Sequence, residues 1–113
     1  MLPKSIGMEI SNMRLVVWNC HNGLSSAKWD HLTGLAPDVA VVPEARSNVD
    51  WPGSEEIEPT RFLWQGRPDE RGTAVFSFGE WSVRPTDEPG RAPWVMPVEV
   101  EGPRSFLLLA IWT

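Results

Sequence analysis

The chain has 113 residues, a formal net charge of −5 and one cysteine. This length suits one domain, and an apolar content of 42% excludes a wholly disordered chain. No apolar run reaches the roughly 18 residues that a membrane-spanning helix needs. An acidic chain lacks the positive charge that binds nucleic-acid phosphates, and a lone Cys20 is typical of a reducing compartment. We therefore expect a cytoplasmic domain with no membrane partner, and the charge does not support nucleic acid as a substrate.

Two β-branched apolar runs dominate the first half of the chain, Arg14–Trp18 and Val39–Val42. Both are uninterrupted, as strands buried on both faces are. The segment between them has room for one short helix, capped by Ser25 or Ser26 and ended by Pro37. This is the size of a βαβ unit, in which the two strands lie parallel.

A polar residue follows each of these two runs. Asn19 comes directly after the first, and Glu44 comes shortly after the second. Because parallel strands end at the same edge of a sheet, we expect the two side chains to lie close together, where open α/β proteins bind ligands. Each also has an ordinary structural interpretation: Asn19 as a turn former, and Glu44 as a helix-cap or salt-bridge residue.

The other segments are predicted from turn residues and short apolar runs. Residues 1–12 have no clear apolar period, so we expect a flexible leader ahead of a domain at residues 13–113. Residues 47–60 are polar and acidic and predict a long surface loop. Further strands are predicted at residues 61–64, 72–77, 81–84, 94–101 and 105–112. The last two form a hairpin, in which Pro97 indicates an edge or a bulge.

The run Phe106–Trp112 is the most apolar in the chain, which ends one residue later at Thr113. A run that is apolar on both faces belongs inside a sheet or beneath a helix layer. The sequence after it offers nothing to cover it, so we expect the chain to be the N-terminal portion of a larger fold.

Three segments in this order and spacing, Leu15–Asn19, Pro37–Glu44 and Gly72–Ser77, resemble the endonuclease/exonuclease/phosphatase superfamily. The resemblance covers residues 13–113 and corresponds to about the first half of a family domain. It implies an α/β fold, a partial four-layer α/β sandwich with one βαβ unit followed by mostly antiparallel strands. It also implies magnesium-dependent hydrolysis of a phosphoester substrate, with Glu44 as the Mg²⁺ ligand and Asn19 as its catalytic neighbour.

The chain departs from the family pattern at several points. Pro43 stands where the family usually has Gln, and the Asp-x-Asn and Asp-His motifs are absent. Neither His21 nor His31 is expected to replace the missing catalytic His, because both are predicted to be solvated. We therefore expect this chain to be inactive by itself, with weak Mg²⁺ binding at most.

An alternative from another functional class is a non-catalytic, β-rich interaction module. Its apolar strand Phe106–Trp112 would then pair with a partner chain, or with a second copy, by strand addition. Four of the tryptophans could form a stacking platform for nucleic acid. Core packing is the better interpretation, because basic residues do not interleave with them; they are Trp51, Trp64, Trp81 and Trp94.

Overall fold

The computed structural model describes residues 6–10, 12–21, 25–46, 60–66, 71–86 and 95–111. They form a mixed α/β fold in which strands predominate, with two sheets and one helix. The elements in chain order are β1 (Ile6–Ile10), β2 (Met13–Val17), α1 (Ser26–Gly34), β3 (Val39–Arg46), β4 (Arg61–Gly66), β5 (Arg71–Ser77), β6 (Ser82–Pro85), β7 (Val95–Glu101) and β8 (Phe106–Ile111). Trp51 and Trp94 lie outside the described residues.

The larger sheet has the strand order β1-β2-β3-β5-β4. Strands β2 and β3 are parallel, with Leu15 opposite Val39 and Val17 opposite Val41, and α1 connects them. The predicted βαβ unit is therefore confirmed. The other described pairs of this sheet are antiparallel.

Strand β1 corrects the expectation of a flexible leader for residues 6–10, the part of the segment 1–12 that forms this strand. Residues 6–10 pair antiparallel with β2, with Ile6 opposite Val17 and Ile10 opposite Met13. Its apolar residues Ile6, Met8 and Ile10 alternate with Gly7 and Glu9, which is the two-residue period of a strand, and backbone hydrogen bonds to β2 hold it in the sheet. The segment thus belongs to the sheet.

The Pro-Asp pair before β3 has a structural role. The backbone N–H of Arg14 donates to the Asp38 carboxylate at 2.7 Å, and the N–H of Asp38 donates to the carbonyl of Arg14 at 2.8 Å. Asp38 therefore fixes β2 and β3 together at their amino-terminal ends, which sets the parallel register seen further along.

Helix α1 begins as predicted, with Ser25 as the N-cap accepting from the backbone N–H of Lys28 at 3.3 Å. Trp29 and Leu32 are fully buried and pack against one face of the larger sheet. Ala36, seven residues after Trp29, is exposed and has a φ of +51°. It lies beyond the end of the helix, so the helical period no longer applies to it.

The smaller sheet has the strand order β6-β7-β8. One apolar cluster includes buried residues of both sheets, so the core lies between them. A second cluster lies between the larger sheet and α1. The members of the first are Met13, Leu15, Val39, Val41, Val75, Trp81, Val83, Met96, Val98, Val100 and Ala110; those of the second are Val16, Trp18, Cys20, Trp29, Leu32, Ala40, Val42, Ala45, Ala74, Phe76 and Phe78.

Strand β8 differs from the prediction that it is buried on both faces. In the described part of the fold it pairs with β7 alone and lies at an edge. Ala110 is buried against the core, whereas Leu107, Leu109 and Ile111 are 61%, 54% and 52% exposed. Successive side chains of a strand point to opposite faces, so only one face of this run reaches the core.

The tryptophans expected in the core are found there where the structure describes them. Trp81 is buried between the sheets and Trp64 packs against the second cluster. Within the described residues, the single helix is too short to cross a lipid bilayer.

Candidate functional site

The carboxyl ends of β2 and β3 meet at one edge of the larger sheet. The N–H of Trp18 donates to the carbonyl of Val41 at 2.9 Å, and the N–H of Cys20 donates to that of Pro43 at 3.3 Å. The pairing of the two segments therefore continues beyond the end of β2. Asn19 lies within this continued pairing, beside the strand that carries the other predicted site residue.

Glu44 lies in a β-bulge near the end of β3. The register between β3 and β5 shifts between Val42 and Ala45, and Glu44 has a φ of +62°. A residue other than glycine in this left-handed region is strained by about 1–3 kcal/mol. Pro43 fits here because it has no N–H to leave unpaired. Bulges redirect side chains at sheet edges, and this one directs the Glu44 carboxylate toward residues of two other segments.

Trp64 of β4 holds the backbone of this bulge from across β5, the strand between β4 and β3. Its indole N–H donates to the carbonyl of Ala45 at 3.0 Å. The ring lies over Gly72, where a Cβ atom would come within 2.7 Å of the indole and 2.3 Å of the Gln65 carbonyl. Glycine at this position therefore permits the close approach of Trp64 to the bulge.

The Glu44 carboxylate faces two basic side chains. Its Oε2 lies 3.4 Å from Nδ1 of His21 and its Oε1 lies 3.6 Å from a terminal nitrogen of Arg71. The Glu44 side chain is only 18% exposed, whereas those of His21 and Arg71 are 66% and 47% exposed. Oε2 is buried and forms no hydrogen bond within the described part of the chain. Its contact with His21 is therefore not a hydrogen bond, and within the described residues this oxygen has none.

Asn19 connects to Glu44 through His21. The Asn19 side-chain carbonyl accepts from the backbone N–H of His21 at 2.9 Å, which is the hydrogen bond of an Asx turn. The same His21 presents its imidazole to Glu44. Asn19 thus acts as the predicted turn former, and the two predicted site residues lie at one edge with His21 between them.

The loop after β2 is fastened to the first turn of α1. The ammonium group of Lys28 donates to the carbonyls of Cys20 and His21, at 2.5 and 3.0 Å. His21 itself has a φ of +48°, so this loop, like the bulge at Glu44, holds a residue in the left-handed region. Lys28 therefore helps to position the loop residue that faces Glu44.

Sequence reasoning missed His21 and Arg71. His21 is exposed, as predicted for a solvated residue, but its imidazole faces the Glu44 carboxylate. Arg71 stands just before the strand predicted at residues 72–77, whereas it begins β5, which runs antiparallel to β3. The start of a strand lies beside the end of its antiparallel neighbour, so the pairing of β3 with β5 would have indicated Arg71.

Among the described residues at this edge, one carboxylate, that of Glu44, could bind a Mg²⁺ ion directly. Among the residues that the structure describes, no group of three or more His, Cys, Asp or Glu side chains could hold a metal. Magnesium commonly uses one or two carboxylates together with substrate phosphate oxygens and waters. The buried Oε2 of Glu44 suits one such position, while the Asn19 carbonyl oxygen is already bonded to the His21 backbone.

Comparisons of the chain with models of protein families, with curated proteins and with solved structures found no match. A functional assignment therefore depends on the arrangement around Glu44 and on the motif residues. Those residues define one acidic group at a sheet edge, bordered by two basic side chains.

Proposed function

We propose that this chain is the N-terminal part of a magnesium-dependent phosphoester hydrolase of the endonuclease/exonuclease/phosphatase superfamily, inactive by itself. The observation that carries the proposal is the buried, unbonded Oε2 of Glu44 at the edge that also carries Asn19. Two parallel strands bring these residues together, as the family resemblance implies.

Each residue at this edge has a role in the proposal. Glu44 would hold the cation, which polarises a phosphoryl oxygen and activates a water when it is bound. Asn19 fixes the turn that presents His21. Arg71 can give up its long, half-exposed contact with Glu44, because such contacts contribute about 0–1 kcal/mol. Its guanidinium then matches the geometry of a phosphate group.

The proposed complete domain is a four-layer α/β sandwich. Helix α1 covers the outer face of the larger sheet. The outward side chains Leu107, Leu109 and Ile111 of the smaller sheet are exposed, which is consistent with a further helix layer above them. The segment that forms this proposed helix layer would also supply the Asp-x-Asn and Asp-His motifs.

Cation binding tests the proposal directly. We expect weak binding of Mn²⁺, used as a probe for Mg²⁺, in calorimetric titration of the wild-type chain, and loss of that binding in Glu44→Gln. Glu99→Gln is the matched control, because it removes an acidic side chain from the other sheet. Absence of wild-type binding, or equal binding by Glu44→Gln, would show that the proposed site is wrong.

The predicted inactivity has its own test. We expect no hydrolysis of an activated phosphodiester by residues 1–113 with Mg²⁺. Magnesium-dependent turnover that Glu44→Ala abolishes would contradict this. The genomic sequence downstream of Thr113 should encode an Asp-x-Asn and an Asp-His motif, in frame or shifted.

The exposed face of β8 favours a second candidate, a β-rich interaction module that associates through this edge strand. An edge strand offers unpaired backbone groups to another chain. Light scattering over a range of concentrations would show self-association that Leu109→Lys reduces. A monomer at every concentration would contradict association between copies of the chain.

A further inference from the structure

Thr73 is a polar residue that is buried in the larger sheet. It lies on β5 and is 1% exposed, and its hydroxyl forms no hydrogen bond within the described residues. A buried hydroxyl without a partner costs about 1–3 kcal/mol, and valine would fit a strand at this position without that cost. Unbonded buried polar atoms commonly indicate a bound water, ion or ligand.

The alternation along β5 places Thr73 on the same face as Arg71. Ala74 and Phe76 belong to the cluster beneath α1, and Val75 belongs to the cluster between the sheets. Side chains two residues apart share a face of a strand. Thr73 and Arg71 therefore share the face of Val75, which looks toward the smaller sheet.

The register places Thr73 opposite the bulge that carries Glu44. Val42 pairs with Ala74 and Ala45 pairs with Gly72, so Thr73 stands across from the extra residues of β3. Arg71, on the face of Thr73, contacts the Glu44 carboxylate. Oε2 of Glu44 and Oγ1 of Thr73 are both buried and form no hydrogen bond in the described structure. The register therefore places the two residues that carry them across from each other on β3 and β5.

The cross-strand neighbour of Thr73 on β4 forms a hydrogen bond to another segment. Gln65 of β4 pairs with Thr73, and its side-chain amide donates to the carbonyl of Val95 at 2.7 Å. This bond connects the larger sheet to the start of β7. The Thr73 hydroxyl has no hydrogen bond within the described residues.

We propose that Thr73 is a positioning residue for a hydrated divalent cation held by Glu44. The inference rests on the proposed function. The cation binds the carboxylate, and one water of its hydration shell donates a hydrogen bond to the Thr73 hydroxyl. Magnesium keeps several of its waters when it binds proteins, and residues that bond to such ligands support metal affinity. The arrangement gives both unbonded oxygens a partner.

The test compares Mn²⁺ binding by the full chain and its variants in calorimetric titration. Thr73→Val removes the hydroxyl while keeping the shape, and we expect about tenfold weaker binding. Thr73→Ser keeps the hydroxyl and should bind within about twofold of wild type. Thr33→Val is the matched control on α1, where the hydroxyl donates to the Trp29 carbonyl, and its affinity should not change.

Thermal unfolding supplies a second readout. Without cation, Thr73→Val should unfold at the wild-type temperature or higher, because it loses an unbonded buried hydroxyl. Adding Mn²⁺ should raise its unfolding temperature less than that of wild type, since stabilisation by a ligand follows its affinity. Thr73→Ala provides the same comparison if the valine variant does not fold.

The outcomes separate this inference from the proposed function. If Glu44→Gln abolishes binding and Thr73→Val binds as tightly as wild type, the role of Thr73 is wrong and the cation site stands. If Thr73→Val binds Mn²⁺ as tightly as wild type and is less stable than wild type without cation, Thr73 holds a buried water only. This result also overturns the inference. If the wild-type chain binds no Mn²⁺, both are wrong.

Discussion

At the scale of single residues, the site combines backbone strain with incomplete pairing. His21 and Glu44 both have positive φ, and their side chains face each other. Glu44 also keeps one carboxylate oxygen unbonded within the described chain. A protein selected for stability alone would place glycine at such a bulge, so the strained carboxylate at this edge is consistent with a functional role.

The strain at Glu44 predicts an order of stability between two variants that both lack the carboxylate. Glu44→Gly should unfold at a higher urea concentration than Glu44→Ala, with a difference of about 1 kcal/mol in the free energy of unfolding, because glycine adopts positive φ readily. Urea denaturation measures the difference. Greater stability of the alanine variant would show that this backbone conformation is not strained.

Lys28 predicts a second residue-scale effect. Lys28→Met removes the ammonium group that binds the carbonyls of Cys20 and His21, and it should lower the free energy of unfolding by about 1–2 kcal/mol. Hydrogen exchange at the His21 amide should also become faster. Asp30→Ala, an exposed change on the same helix, is the control and should alter neither measurement.

At the scale of secondary-structure elements, strands β7 and β8 each have one face toward the core and one face turned away from it. Their inward residues meet the core, while Leu109 and its outward neighbours are exposed. The outward face is polar where β6 meets β7. There Arg84 forms ion pairs with Glu99 and Glu101, at 2.6 and 2.9 Å. Among the residues that the structure describes, the large exposed apolar side chains thus lie on the edge strand β8.

This division predicts losses of stability of different size for threonine substitutions on the two neighbouring strands. Val98→Thr places a hydroxyl in the core, where Val98 is fully buried, and should cost about 1–3 kcal/mol. Leu109→Thr on the exposed face should change the free energy of unfolding by no more than about 0.5 kcal/mol. Chemical denaturation checks both, and a large loss in Leu109→Thr would show that this face is covered.

At the scale of the whole molecule, the larger sheet joins every part that forms the site. Strands β2, β3 and β5 carry or lead to Asn19, Glu44 and Arg71. Strand β1 protects the outer edge of β2 by antiparallel pairing. The stability of the site therefore depends on segments that contribute no site residue.

Removal of residues 1–11 tests the role of β1. The deletion exposes the hydrogen-bonding edge of β2, so we expect a lower unfolding temperature and stronger self-association. Thermal unfolding and light scattering on the shortened chain measure the two effects. An unchanged unfolding temperature would be the result expected of a flexible leader.

Local sequence patterns were sufficient to predict much of this fold. The β-branched runs predicted β2 and β3, Ser25 predicted the start of α1, and the segment between the strands predicted their parallel pairing. These features depend on residues that are close in sequence, so their signal is local. The meeting of Asn19 and Glu44 at one edge followed from parallel pairing alone.

Only the tertiary structure decided which residues complete that edge. The pairing of β3 with β5 brings Arg71 to Glu44 and sets Thr73 opposite the bulge. The sequence by itself determined strands β2 to β8 and the shared edge of Asn19 and Glu44, because apolar period and turn residues act over a few positions. Strand order, the bulge and the exposed face of β8 were decided by contacts between distant segments, which no local pattern encodes.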